Sequence, residues 1–163
     1  MTVLIREITK NDVPSAVEIW NRVVEDGVAF PQTETLSVKE GEEFFSSQSF
    51  TGVAFDSDGG EVLGLYILHP NNVGRCGHIC NASYAVRADV RGHHIGEKLV
   101  THSMKKGREL GFGILQFNAV VKSNKSALHL YEKLGFVKLG VIPDGFKMKD
   151  GSFEDIILHY HVL

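Results

Sequence analysis

The stretch from His78 to Val121 constrains the fold more than any other part of the chain. His78 to Arg87 (HICNASYAVR) reads as a strand, Ile95 to Leu110 as an amphipathic helix, and Ile114 to Val121 (ILQFNAVV) as a second strand. Ile95, Leu99, Ser103 and Leu110 lie near one helical face, with Val100, Met104 and Gly107 beside them, and Gly111 stands where a left-handed residue ends a helix. Strand, helix and strand in succession require a crossover on one face of a sheet, so parallel pairing is expected in this half.

The flanking segments read in the same way. Val3 to Ile8 alternates as a strand. Asn11 or Asp12 offers an N-cap, Pro14 sits in the first turn, and Val13, Val17, Trp20 and Val24 follow at helical spacing until Gly27. A loop carrying Phe30-Pro31 leads to Ser37-Val38-Lys39-Glu40, a capping box that opens a short helix through Phe44 and Phe45. Thr51–Phe55 and Glu61–Leu68 form a hairpin about Asp56–Gly60, and 69–77 is a loop. After the central unit come a helix (Ser126–Leu134, then Gly135), a strand (Phe136–Val141), a turn-rich loop over 143–151 and a last alternating strand, Glu154–Val162. The order β-α-α-β-β-β-α-β-α-β-β describes one α/β domain over residues 1–163, a mixed sheet with helices on its faces.

Composition narrows the function. A net charge of -3 does not suit a nucleic-acid-binding face. No apolar run approaches the roughly 20 residues that cross a bilayer, and the N-terminus has no signal-peptide pattern, so a soluble, cytoplasmic protein without membrane contact is expected. Cys76 and Cys80, if both on one strand, would lie about 13 Å apart at ~3.3 Å per residue, too far for a disulfide, so free thiols are expected. His159 and His161 share a strand face and His93-His94 are adjacent, but neither pair has a third ligand at metal spacing, and no metal is expected.

The loop Val86–Gly96 joins a strand end to a helix start. A helix N-terminus presents unpaired N–H groups and partial positive charge, a ready anion site. Gly92 and Gly96 permit close backbone approach, and Arg91, His93 and Lys98 add donors or charge; a plain tight turn is the alternative reading. The spacing is that of neither a P-loop nor a dinucleotide fingerprint, which argues against an unrelated nucleotide-binding domain.

The segment Arg91-Gly-His-His-Ile-Gly96 resembles motif A of the GNAT family of N-acetyltransferases, Gln/Arg-x-x-Gly-x-Gly/Ala at a strand-to-helix turn. Arg91 matches the first position and Gly96 the last, while His94 replaces the central glycine. Histidine is among the non-glycine residues enriched at positive φ, so the loop can keep its path; alternatively its imidazole touches a phosphate or narrows the site. A second stretch resembles the family's Asn-x-x-Ala-x-x-x-Tyr-x-x-x-Gly-Phe segment, carried here by Asn124, Ala127, Tyr131, Gly135 and Phe136. Read without the family, these are a helix N-cap, a buried aromatic and a C-cap entering a strand.

The resemblance implies a GNAT-like fold, a mostly antiparallel twisted sheet of about seven strands flanked by about four helices. It implies acetyl-CoA as co-substrate, with the diphosphate on Arg91, Gly92, His93, His94, Ile95, Gly96 and Glu97, and the pantetheine arm in the gap between the strands His78–Arg87 and Ile114–Val121. Backbone groups of Tyr84, Ala85 and Val86 would bind its amides, and Asn124, Ser126 and Tyr131 would contact the arm and thioester. The reaction implied is direct transfer of acetyl to an amine in a ternary complex. It needs a free amine, N–H donors for the developing oxyanion and a proton for the thiolate, and Tyr131 is the expected acid. The base is open: His78, the weaker Glu25 and Asp26, or none.

Phe30-Pro31, Pro70-Asn71, Gly74-Arg75 and Asn81–Tyr84 resemble a phosphinothricin-acetyltransferase-like subgroup, and Phe117-Asn118 with Ser123-Asn124 resembles fungal acetyltransferases of azetidine-2-carboxylate. These imply a small-molecule primary or secondary amine, an amino acid or analogue, held by Phe30, Arg75, Asn81, Ser83 and Asn118. The alternatives are a protein or peptide N-terminus as acceptor, or a non-catalytic acyl-CoA sensor. A homodimer is a family-level expectation.

Overall fold

The computed structural model describes residues 1–163. Seven strands, β1 (Val3–Glu7), β2 (Phe50–Asp56), β3 (Val62–Pro70), β4 (Ile79–Val86), β5 (Ile114–Val121), β6 (Val137–Lys147) and β7 (Phe153–Val162), form one sheet in the order β1-β2-β3-β4-β5-β7-β6. Four helices, α1 (Val13–Asp26), α2 (Val38–Ser46), α3 (Ile95–Glu109) and α4 (Lys125–Lys133), cover it. The fold is the mostly antiparallel, seven-stranded sheet with four helices that the resemblance implied.

From Gly64 onwards the two-residue period of β3 sorts its side chains into two cores, and Leu63, skipped by the register shift opposite Ala54 and Phe55, joins the same core as Tyr66 and Leu68. Leu65 and Ile67 pack with Val13, Val17 and Trp20 of α1 and Phe45 of α2, whereas Leu63, Tyr66 and Leu68 pack with Ile95, Leu99 and Val100 of α3. Leu99 is fully buried, worth about 1.5–3 kcal/mol over exposure. Gly64 lets α3 approach, because a Cβ there would lie 2.8 Å from the Ala85 carbonyl and 3.2 Å from Leu99.

Three local expectations are corrected. Asp12 does not cap α1 with its side chain; its carboxylate accepts from the Thr9 N–H and from Arg6 at 2.6 Å, and so ties β1 to the helix start. The loop expected over 143–151 is strand as far as Lys147. The irregularity at Pro143-Asp144-Gly145 is absorbed as a register shift, with Asp144 at φ 53 and its N–H donating to Asp155. Likewise β3 continues through His69 and Pro70, paired with Asn81 and Cys80.

Parallel pairing is confined to Ile79–Ile114 and Cys80–Leu115. The second expected parallel neighbours, β5 and β6, are separated by β7, which runs antiparallel to both. Both cysteines are free, Cys76 exposed and Cys80 buried.

Candidate active site

The site begins where β4 and β5 stop pairing. Arg87 N–H reaches the Leu63 carbonyl and Asn71 N–H reaches that of Ile79, so the odd-numbered residues of β4 bond β3. By the alternation of an antiparallel ladder, the backbone groups of Ala82, Tyr84 and Val86 face the gap towards β5, whereas those of Ala85, expected at the gap, are turned to Leu65 of β3. In a continued parallel ladder the Ala82 N–H would meet the Gln116 carbonyl. That carbonyl instead accepts from Asn81 Nδ2 at 2.8 Å. The Asn81 amide is therefore a wedge at the crotch of the split. Replacing it by Asn81→Leu removes a bond of about 1 kcal/mol and frees Gln116 for Ala82. Acetyl-CoA, the co-substrate the resemblance implies, should then bind roughly tenfold more weakly by calorimetry, with an unchanged circular dichroism spectrum.

Beyond the wedge lies a cavity of ≈ 180 Å³ lined by Ala29–Pro31, Asn81–Tyr84, Phe117–Val121, Asn124, Ala127 and Tyr131. Phe30 is held from behind by Trp20, ring centroids 4.4 Å apart. Asn81 and Ser83 share a strand face, as their spacing required. On β5 the register shifts between Phe117 and Val120, and Asn118 at this irregularity donates to Asn71 at 2.6 Å and accepts from Gln116 at 3.0 Å. The Tyr84 hydroxyl points away, bonded to Ser103 at 2.7 Å, which leaves only its backbone at the gap.

Tyr131, on α4, packs on Phe117 at 4.4 Å and on Phe136 at 5.4 Å. Burial pushes its phenol well above the ordinary tyrosine range, so it is a protonated donor at any physiological pH. Asn124 caps α4, accepting from Ala127 N–H at 3.3 Å and from Ser126 at 3.2 Å.

At the far end of β4 the chain turns into α3. Gly92 has φ +88 and His94 φ 57, so histidine supplies the left-handed conformation expected of glycine at that position. The first intrahelical bond is from Lys98 N–H to the His94 carbonyl, which leaves the N–H groups of Ile95, Gly96 and Glu97 without helical partners. A Cβ on Gly92 would meet nothing within 4 Å and one on Gly96 only Leu130 at 4.0 Å, so the backbone is open to a close-lying group. Such a turn suits a diphosphate.

The residues matched by the family model extend from 17 to 136, across the split strands, the turn and α4, and its description is the acetyltransferase (GNAT) family. The chain is a GNAT acetyltransferase. An N-acetyltransferase of Schizosaccharomyces pombe, aca1, is 29% identical over 158 residues, 86% of this chain and 76% of that protein. A GCN5-related N-acetyltransferase from Kribbella flavida superposes with a TM-score of 0.90 at 28% identity, covering 99% of this chain and 98% of that one. A phosphinothricin acetyltransferase from Sinorhizobium meliloti, solved with acetyl-CoA, gives a TM-score of 0.90 at 24% identity over 100% and 89% of the two chains.

Not every expected site residue of this GNAT chain gathers at the cavity. Arg75 is exposed in the short turn Gly74–Cys76. His78 lies at the closed end, where its carbonyl takes the N–H groups of Gly113 and Ile114. Glu25 and Asp26 are exposed at the end of α1, with Asp26 beside Arg22. His93, His94 and Glu97 border a separate groove along α3, where Glu97 pairs with Lys133 at 2.9 Å and joins α3 to α4. Gln116, Ala29 and Ala119 were not singled out from the sequence, and Asn71 was named only within the subgroup resemblance. A run of amides is legible there, but not that Asn71 and Asn118 meet, since they are 47 positions apart. No helix is long and apolar enough to cross a membrane.

Proposed function

We propose that this GNAT enzyme acetylates the primary or secondary amine of a small molecule, an amino acid or analogue, by direct attack in a ternary complex with acetyl-CoA. The observation that carries the reading is the cavity: it adjoins the backbone groups of the split, holds Tyr131 on one wall and Ser83 with amides on another, and its volume of ≈ 180 Å³ suits a small acceptor. Acetyl-CoA supplies the acetyl thioester. The turn Arg91–Glu97 holds the diphosphate through its N–H groups, and Ala82, Tyr84 and Val86 orient the arm and face the carbonyl oxygen on which charge develops. Tyr131 donates its proton to the departing sulfur.

The cavity wall carries no carboxylate, lysine, arginine or histidine. With no base at hand, the acceptor enters as free amine, and its carboxylate is met by Ser83 and amide donors. The rate therefore follows the amine's own ionisation. With acetyl-CoA and a panel of amino acids, cyclic imino acids included, thiol release should rise about tenfold per pH unit until the amine's own pKa. A plateau set by a group near neutral pH would reveal a base on the protein. Thiol release with peptides but with no free amino acid would make a protein N-terminus the acceptor, and binding without release would make the chain a sensor.

A further inference from the structure

Asn71 follows β3 directly and is not part of the cavity wall, and the chemistry described so far gives it no task. Its backbone is fixed, because its N–H donates to the Ile79 carbonyl at 2.7 Å and Pro70 before it is paired with Cys80. From that fixed point its Oδ1 accepts from Asn118 Nδ2 at 2.6 Å.

Asn118 lines the cavity and yet is exposed, at the shift between Phe117 and Val120 where β5 loses its regular pairing with β7. An exposed amide at a strand irregularity is free to turn among several rotamers. Here both of its ends are engaged, since Oδ1 accepts from Gln116 Nε2 at 3.0 Å and Nδ2 donates to Asn71. Gln116 stands on the same strand, two residues away, on a longer and more flexible arm. The contact with Asn71 is therefore the one that ties the amide to a different strand connection. Nδ2 carries two hydrogens in the amide plane. With that plane fixed, the second N–H has one direction, and no group of the chain accepts it.

Resting on the reading of the cavity as the site of a small amino-acid acceptor, we propose that Asn71 is a positioning residue for the acceptor's carboxylate. It holds the Asn118 amide so that the second Nδ2 hydrogen meets that carboxylate. A donor held in advance binds without first being ordered, whereas a loose one loses its freedom on binding. Asn71 itself does not touch the acceptor, and its effect is confined to acceptors that carry a carboxylate.

The test uses the full chain in the thiol-release assay at near-molar salt, with the fastest amino acid of the panel and with the amine that its decarboxylation leaves. Asn71→Ala should raise KM for the amino acid about five- to tenfold, with kcat within about twofold and kcat/KM for the decarboxylated amine unchanged. No change with the amino acid, or equal losses with both acceptors, would overturn the proposal. Asn71→Asp has a carboxylate that can only accept, so it keeps the bond from Asn118, and the salt screens its charge from the acceptor. Its KM for the amino acid should stay within about twofold of the parent's. A loss as large as that of Asn71→Ala would overturn the direction assigned to the bond, and the proposal with it. Asn118→Ala should raise the same KM, and adding Asn71→Ala to it should cost nothing further; multiplicative losses would overturn the proposal. If the parent releases thiol with no amino acid of the panel, the small-acceptor reading fails and the role of Asn71 falls with it, whereas the other adverse results leave that reading standing.

Discussion

Tyr131→Phe is expected to lower kcat roughly 10²-fold, the smaller end of what a positioned general acid contributes. The ring is held by Phe117, Phe136 and His159, and phenylalanine fills the same space, so the fold and the cavity wall survive the change. Only the proton donor is lost. The affinity for acetyl-CoA, measured by calorimetry, should stay within about twofold, because an interaction made only in the transition state leaves ground-state binding untouched. The loss should therefore appear in kcat and equally in kcat/KM. A variant with parental kcat would remove Tyr131 from the chemistry. One with weakened binding and unchanged kcat would make it a contact of the cofactor arm.

Arg91→Glu should act at the opposite end of the site and in the opposite kinetic constant. The change replaces a cation by an anion at a turn whose three free N–H groups already favour negative charge. Two unit charges about 4 Å apart interact by about 1 kcal/mol in water and about 4 kcal/mol near a protein surface, and the reversal turns attraction into repulsion. A loss of about 2–3 kcal/mol, or roughly 30- to 100-fold in Kd for acetyl-CoA, follows. Raising the salt from low to near-molar should shrink the ratio of the two affinities, since this contribution is screened at a solvent-exposed turn. At saturating acetyl-CoA, kcat should be near parental. A Kd unchanged at low salt would place the diphosphate elsewhere, with the groove beside His93, His94 and Lys98 the next candidate.

These two variants bracket a site whose parts were unequally legible. His94 shows how a departure from a motif resolves. Its φ of 57 keeps the turn on the path a glycine would give, so the substitution changes the side chain over the turn and not the backbone. Asn124 shows two readings that hold together, since its Oδ1 caps α4 while the residue lines the cavity. Asn81 shows a residue legible as polar and inward whose backbone neighbour was not legible. Its N–H is taken by the Gln116 carbonyl, across a split that no local pattern announces. Arg75 and His78 were chosen for their chemistry on segments near the site, and the fold leaves both outside the cavity wall.

The chain by itself determined its elements and their order, the turn at Arg91–Gly96, the caps at Ser37, Gly27 and Gly135, and the spacing that sets Asn124 and Tyr131 on one short helix. All of these depend on residues within a few positions of one another, where helical and strand periods, capping and left-handed glycines act. Tertiary structure alone decided that β7 enters between β5 and β6, that β4 and β5 part after Cys80, that the cavity holds no charged side chain, and that His159 lies against Tyr131. Each of these is a contact between segments tens of positions apart. Its energy comes from which faces are buried together, and the period of a strand names its buried face but not the strand that will lie beside it.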